Sequence, residues 1–120
     1  MEPEERDAAY LFDMLEAARA VSNFCAGVGL PAYMEDAKLQ AAVERKVEII
    51  GEAARRISQS FKNAHPDIPW RTIIGLRNIL AHDYGEIRQD RLWGLVTIHI
   101  PSLIARVEPL LPPEPRETAE

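Results

Sequence analysis

The stretch EDAKLQAAVERKVEIIGEAARRISQSFKN, residues 35–63, decides the fold. Its apolar residues recur at spacings of three and four, which places their side chains on one face of an α-helix. These residues are Leu39, Val43, Val47, Ile50, Ala54, Ile57 and Phe61. A helix from Glu35 to Asn63 would be about 40 Å long at 1.5 Å per residue. Other helices must cover so long an apolar stripe, as in a helical bundle.

The rest of the sequence has the same helical period. We predict a first helix from Glu4 to Gly27, a third from Ile68 to Tyr84 and a last from Arg91 to Leu110. Asp67 and Asp90 are the expected N-caps of the third and last helices. No segment shows the alternation of apolar and polar residues that is typical of a strand.

Pro101 predicts a kink in the last helix, because proline removes a backbone donor and clashes with the preceding turn. The proline-rich, charged end of the chain favours a mobile tail. The sequence therefore predicts an all-α, antiparallel bundle of four to five helices. Residues 1–111 are expected to form one domain and residues 112–120 the tail.

Composition limits the classes of function. The formal net charge is −5 at pH 7, so any contact with RNA must come from a local basic patch. A single cysteine, Cys25, excludes an intramolecular disulfide, and the acidic start of the chain lacks the features of a secretion signal. The apolar run at 92–107 is too short and too interrupted to span a bilayer. We expect a cytoplasmic protein with no membrane role.

The predicted third helix carries polar groups among its apolar residues. The stretch LRNILAHDYGEI, residues 76–87, contains Arg77, Asn78, His82 and Tyr84. At about 100° per residue, Asn78 and His82 share one face, whereas Arg77 and Tyr84 fall on the apolar side. Histidine, arginine and an amide can supply the acid–base, anion-binding and orienting groups that RNA cleavage needs. His82 lies near the C-terminus of the predicted helix, where the dipole favours imidazolium and would suit an acid–base role. The alternative is that His82 is only a structural cap.

An arginine beside core leucines needs a carboxylate or must reach the surface, because an unpaired buried charge is strongly destabilising. Glu48 and Glu52, one turn apart in the second helix, are the best candidates to pair with Arg77. Two acids at this spacing repel each other unless they share a cation. The alternative is that both acids are solvated and that Glu52 pairs locally with Arg56.

The spacing Arg77-x4-His82-x-Tyr84, with Asn78 directly after the arginine, resembles the signature of HEPN-domain ribonucleases, in particular the HepT toxin family. Four longer segments resemble the same family: DMLEAAR at 13–19, VEIIGEAARR at 47–56, IPWRTIIGLRNILAHDY at 68–84 and LWGLV at 92–96. The resemblance therefore covers nearly the whole chain.

This resemblance implies a HEPN-like bundle that dimerises through its long helices, so that two motifs face one cleft. It also implies a metal-independent endoribonuclease toxin that uses no cofactor and acts on cellular RNA such as tRNA or mRNA. Arg77 and His82 would be catalytic, with Asn78 in support. Tyr84 would be adenylylated by a minimal nucleotidyltransferase antitoxin of the MntA type, in a type VII-like toxin–antitoxin pair.

Several basic residues could rim such a cleft and contact phosphates. The candidates are Arg71, Arg45, Lys46, Arg55, Arg56 and Arg88. The alternative for each is a solvated side chain paired along its own helix. For the whole protein, the alternative function is a non-catalytic helical module that binds a nucleotide or a protein.

Overall fold

The structure, a computed structural model, describes residues 4–76, 80 and 88–112. Two long helices form its central pair, α1 (Glu5–Phe24) and α3 (Ala37–Arg56). The shorter elements are α2 (Leu30–Met34), α4 (Gln59–Ala64), α5 (Trp70–Ile74), α6 (Gln89–Gly94), a π-helix (Leu95–His99), α7 (Ile100–Val107) and a 3₁₀-helix (Glu108–Leu110). The described residues contain no β-strand, and the prediction of an all-α bundle is confirmed.

The core lies where α3 packs against α1 and α5, and α7 packs against α1 as well. Most of the apolar stripe that predicted the long helix is buried, and only Leu39 lies at the margin of the core. Opposite it, Leu11 and Met14 of α1 are fully buried. Within the described ranges, no helix is long and apolar enough to cross a membrane.

The long helix predicted from Glu35 to Asn63 is not continuous. It begins at Ala37, where the Asp36 side chain accepts a hydrogen bond from the Leu39 amide at 3.0 Å. It ends at Arg56, because Ile57 and Ser58 are extended. Pro31, which was expected only to stop the preceding helix, lies in the first turn of α2, which the sequence did not predict.

A buried carboxylate stabilises the break between α3 and α4. Asp7 of α1 accepts hydrogen bonds from the Ser58 amide at 2.9 Å and from its hydroxyl at 2.6 Å. Asp7 is only 4% exposed, so these bonds form where water competes weakly. The Ser58 hydroxyl in turn accepts from the Phe61 amide and caps α4.

The third predicted helix begins at Trp70 instead of Ile68. Its N-cap is Pro69, so the prediction that Asp67 caps this helix is wrong. Asp67 instead accepts a hydrogen bond from Arg106 of α7 at 3.3 Å. The helix ends at Ile74 with Gly75 as its C-cap. Leu76 and Leu80, which belong to its predicted continuation to Tyr84, are helical. The rest of that continuation, residues 77–79 and 81–84, lies outside the described residues.

The last helical run begins at Gln89, with Arg88 as N-cap, so the expected cap Asp90 lies inside the first turn. Asp90 pairs there with Arg88 at 2.9 Å. The helix widens into the π-helix (Leu95–His99) one residue before Pro101, which lies in the first turn of α7. Since proline has no N–H to donate to the carbonyl four residues earlier, an irregularity was expected here, and the π-helix is the form it takes. The single domain at 1–111 and the tail at 112–120 stay predictions.

Candidate functional site

The predicted motif residues Arg77, Asn78, His82 and Tyr84 lie outside the described residues. The structure does describe the chain on both sides of this segment, up to Leu76 and again from Arg88. It also describes the acidic and basic residues that were predicted to surround the motif. The candidate site is therefore defined by the contacts at the two ends of residues 77–87 and by the charged surfaces on α3, α4 and α5.

A close crossing of α3 and α5 fixes the start of the motif segment. A Cβ atom placed on Gly51 of α3 would lie 3.4 Å from the Ile73 carbonyl oxygen and 3.9 Å from the Leu76 Cβ. Leu76 is 4% exposed and belongs to the core. The residue that precedes Arg77 in the sequence is thus packed on α3 at Gly51, directly beside Glu52 in the chain.

A hydrogen-bonded network fixes the chain where the motif segment ends. The Tyr33 hydroxyl donates to Gln89 Oε1 at 2.8 Å, and Gln89 Nε2 donates to Glu44 Oε2 at 2.5 Å. The Tyr33 ring is fully buried and packs against Trp93 with ring centroids 4.7 Å apart. This network ties the start of α6 to α2 and α3.

Burial raises the pKa of Tyr33 well above the usual value for tyrosine, and the negative charges of Cys25 and Glu44, when present, raise it further. The hydroxyl therefore stays protonated and remains a donor to Gln89. Sequence analysis missed this network. A tyrosine, a glutamate and a glutamine on three separate helices carry no local pattern that would predict their contact.

Glu48 and Glu52 lie in a groove between α1 and α3. This α1–α3 groove has a volume of about 280 Å³. It is lined by Tyr10, Asp13, Arg45, Glu48, Ile49, Glu52, Ala53 and Arg56. The two acids that were predicted to pair with Arg77 thus share one surface, which faces α1.

Both acids have arginine partners on their own helix. Glu48 accepts from Arg45 at 3.1 Å, and Glu52 accepts from Arg55 at 3.2 Å. The Arg56 Nε atom lies 3.9 Å from the same Glu52 oxygen, so the local pairing considered as the alternative is present. The prediction that Arg77 also shares these carboxylates falls outside the described residues.

The basic residues that were predicted to contact RNA fall into two groups. Arg45, Arg55 and Arg56 pair with the acids of α3, and Arg88 forms two hydrogen bonds to Asp90, which raise the pKa of Arg88. Their charges are partly neutralised within the protein. Lys46 is half-buried on α3, and Arg71 is exposed on α5. In the described part of the chain, no carboxylate lies within 4 Å of the Arg71 guanidinium.

Arg71 lies in a second and larger groove, between α4 and α5. This α4–α5 groove has a volume of about 950 Å³. It is lined by Gln59, Lys62, Asn63, Pro66, Ile68, Pro69, Trp70, Arg71 and Ile74. Sequence analysis did not select Lys62 or Asn63, because they were placed in the last turns of a continuous helix. The break at Ser58 is what gives their helix its own direction.

The family model described as "Ribonuclease HepT-like" matches residues 14–110. This match covers most of the chain, including the predicted motif.

The chain belongs to the HepT-like ribonuclease family.

Individual relatives agree with this assignment. The HepT-like chain is 38% identical over 100 residues to a Methanocaldococcus jannaschii protein provisionally named as an RNase, covering 83% of this chain and 92% of that protein. It is 40% identical over 101 residues to the Thermococcus cleftensis "Probable ribonuclease HepT", covering 84% and 92%. A Caldanaerobacter subterraneus protein, also provisionally named as an RNase, is 30% identical over 105 residues, covering 88% and 94%.

No solved structure gave a significant match. The family match and these relatives confirm the sequence-based prediction of a HepT-like ribonuclease.

Proposed function

We propose that this HepT-like protein is a metal-independent endoribonuclease toxin that cleaves tRNA or mRNA, with Arg77 and His82 as its catalytic residues. The observation that carries the proposal is the ribonuclease family match over residues 14–110, which spans the Arg77-x4-His82-x-Tyr84 motif. A histidine and an arginine at this spacing are the residue types that the reaction needs.

In the proposed reaction, the RNA 2′-hydroxyl attacks the adjacent phosphorus atom. His82 accepts the proton of that hydroxyl, and Arg77 stabilises the negative charge that builds up on the phosphoryl oxygens. The bond from phosphorus to the 5′-oxygen breaks, and the proton that His82 accepted is returned to the leaving oxygen. The products are a 2′,3′-cyclic phosphate and a 5′-hydroxyl. Asn78 orients the groups around this centre.

The described contacts support this role by fixing the ends of the motif segment. Leu76 packs on α3 at Gly51, and Gln89 is held by Tyr33 and Glu44. A catalytic segment held at both ends loses less conformational entropy when it binds substrate. Glu52, the chain neighbour of Gly51, is the carboxylate that we propose orients Arg77, with Glu48 one turn away.

We further propose that the protein works as a homodimer joined through its long helices, with two motifs facing one cleft. An isologous dimer would let a group of one subunit complete the site of the other. A nucleotidyltransferase antitoxin of the MntA type would then silence the toxin by adenylylating Tyr84. The added phosphodiester and base would occupy the space near His82 that RNA needs.

The catalytic assignment is tested by RNA cleavage with purified, unmodified protein. His82→Ala and Arg77→Ala should each reduce the cleavage rate by about 10²- to 10⁴-fold, the usual contribution of a general acid or base. His99→Ala is the matched control, because His99 is exposed on the π-helix, and it should cleave at the parental rate. RNA binding without cleavage by the parent protein would instead support the non-catalytic binding module.

The proposed modification is tested by mass spectrometry after co-expression with the antitoxin. The parent chain should gain adenylyl groups, and Tyr84→Phe should gain none and stay toxic. Tyr10→Phe is the control, since Tyr10 is a partly exposed tyrosine in the α1–α3 groove. An unmodified Tyr84 in a protein that the antitoxin still silences would contradict the proposal.

A further inference from the structure

We propose that the α4–α5 groove binds the phosphate backbone of single-stranded RNA, with Lys62 and Arg71 as the phosphate contacts. This inference rests on the proposed ribonuclease function and adds a substrate-binding surface to it. The groove would hold the RNA strand beside the cleavage site, so that it contributes to substrate binding and not to the chemical step.

The described lining of the α4–α5 groove is positively charged. This described lining carries two cations, Lys62 and Arg71, and no carboxylate. The α1–α3 groove, by contrast, is lined by three acids and two arginines, and both arginines pair with those acids. On a chain with a net charge of −5, a phosphate is attracted only where cations are locally in excess. Of these two grooves, the α4–α5 groove meets that condition.

Two acids near the groove do not cancel this charge. Asp67 lies between two residues of the groove lining but forms an ion pair with Arg106 of α7 at 3.3 Å. Burial lowers the pKa of Lys62, and the negative charge of Asp7 offsets part of that effect. Asp7 is itself buried, and both of its oxygens accept hydrogen bonds from Ser58. Neither carboxylate is a groove-lining group that would repel an incoming phosphate directly.

Three side chains of the groove lining, Lys62, Asn63 and Arg71, have hydrogen-bond donors that can bind a phosphate. Lys62 Nζ uses one donor on the Arg55 carbonyl at 3.5 Å and has two more. Asn63 Oδ1 accepts a hydrogen bond from Gln59 Nε2 at 3.0 Å. This bond does not use the two N–H donors of the Asn63 amide. Arg71 is exposed and can bind a phosphate with two parallel N–H donors. Anionic oxygens are the natural acceptors for such a set.

The small size of the α4–α5 groove favours a single RNA strand over a duplex. Helix α4 has six residues and is about 9 Å long at 1.5 Å per residue. Proteins that bind duplex RNA span about 16 base pairs across a shallow minor groove, whereas a flexible strand can follow a short concave surface. Pro66 and Pro69 add apolar groove lining against which sugars and bases can pack.

The groove also lies on the path of the chain into the motif. Arg71 and Ile74 line it, and Leu76, two residues after Ile74, immediately precedes Arg77. A strand held by Lys62 and Arg71 would therefore reach α5 just before the predicted catalytic segment begins.

The test measures how salt affects the binding of an RNA that cannot be cleaved. The probe is a 2′-O-methyl oligonucleotide of about 12 nucleotides, within the range of known single-strand sites. Each phosphate contact on a single strand contributes about 0.7 to the slope of log K against log salt. Lys62→Gln combined with Arg71→Gln should lower that slope by about 1.4, so that the loss of affinity relative to the parent grows about 25-fold between 1 M and 0.1 M salt.

The matched control is Arg19→Gln combined with Lys38→Gln. It removes the same number of positive charges at residues that line neither groove. Arg19 pairs with Glu108 and Lys38 is exposed at the start of α3, so the slope should stay at the parental value. With cleavable RNA, the groove variant should raise KM and leave kcat unchanged. If the double groove variant does not fold, Arg71→Gln alone should lower the slope by about 0.7.

Failure of this inference and failure of the proposed function give different results. If the parent cleaves RNA and the groove variant keeps the parental slope, the groove assignment is wrong and the ribonuclease function stands. If the parent protein binds the probe but never cleaves RNA, the proposed ribonuclease function is wrong. The salt dependence of probe binding by the parent and the groove variant still tests the groove in that case. If the groove variant loses binding to polyglutamate but not to RNA, the groove takes an acidic protein segment and the proposal is overturned.

Discussion

Replacing Asp7 by alanine should lower the free energy of unfolding by about 3 kcal/mol. The Asp7 carboxylate is 4% exposed and accepts two hydrogen bonds from Ser58, at 2.9 and 2.6 Å. A hydrogen bond to a charged group contributes about 1.5–3 kcal/mol, so the pair contributes about 3–6 kcal/mol. The lower end applies because Ser58 is only half-buried and water can replace part of the loss.

Urea denaturation followed by circular dichroism measures this loss, with the m value expected to stay unchanged. Asp7→Asn keeps one carbonyl oxygen as acceptor and should cost about half as much. Asp13→Ala is the control, since Asp13 is an exposed acid on the same helix, and it should change stability by less than about 0.5 kcal/mol. A loss below about 1 kcal/mol for Asp7→Ala would refute the idea that this carboxylate stabilises the break between α3 and α4.

Three further predictions concern the two ends of the motif segment. Gly51→Val should destabilise the fold by about 1–3 kcal/mol and slow RNA cleavage, because the valine side chain would meet the Ile73 carbonyl. Gly51→Ala is the control, since its Cβ makes an ordinary contact. Equal losses of stability in the two variants would contradict this explanation. Tyr33→Phe should cost about 1 kcal/mol in urea denaturation and lower kcat, since Gln89 loses its donor; an unchanged kcat would separate this network from catalysis. The pKa of Tyr33 is raised in the folded state, so the unfolded chain loses this proton first and the free energy of unfolding should fall as pH rises through about 10. Tyr33→Phe should remove the part of this fall that Tyr33 causes. An alkaline stability profile that Tyr33→Phe leaves unchanged would contradict the prediction.

The helical architecture could be predicted because apolar spacing reports directly which residues face a core. The break between α3 and α4 at Ile57 and Ser58 could not be predicted in this way. Ile57 and Phe61 continue the apolar spacing across it, and both are buried. The group that stabilises the break, Asp7, is far away in the sequence, and no local pattern links it to Ser58.

The caps show the same limit at a smaller scale. Asp67 and Asp90 are good capping residues at suitable positions, yet Asp67 pairs with Arg106 and Asp90 with Arg88. In each case a competing arginine decides which bond the carboxylate forms. Arg106 comes from a distant helix, and Arg88 is the N-cap residue of α6.

The candidate site was predictable to the extent that it is local in sequence. The pairing of Glu52 with Arg56 follows from their helical spacing, and the structure shows it together with the Arg55 pair. The α4–α5 groove depends on how two short helices meet, so Arg71 was found from its position on a helix face and Lys62 was not. The network around Gln89 joins three helices and was likewise invisible.

The central claim is that this HepT-like protein cleaves RNA through Arg77 and His82 without a metal. The most direct measurement is to incubate purified, unmodified protein with tRNA and total RNA in EDTA and to determine the chemistry of the new ends. The account predicts cleavage that produces 2′,3′-cyclic phosphate and 5′-hydroxyl ends and that is lost in His82→Ala but retained in His99→Ala. Cleavage that stops in EDTA, or that His82→Ala performs at the parental rate, would contradict it.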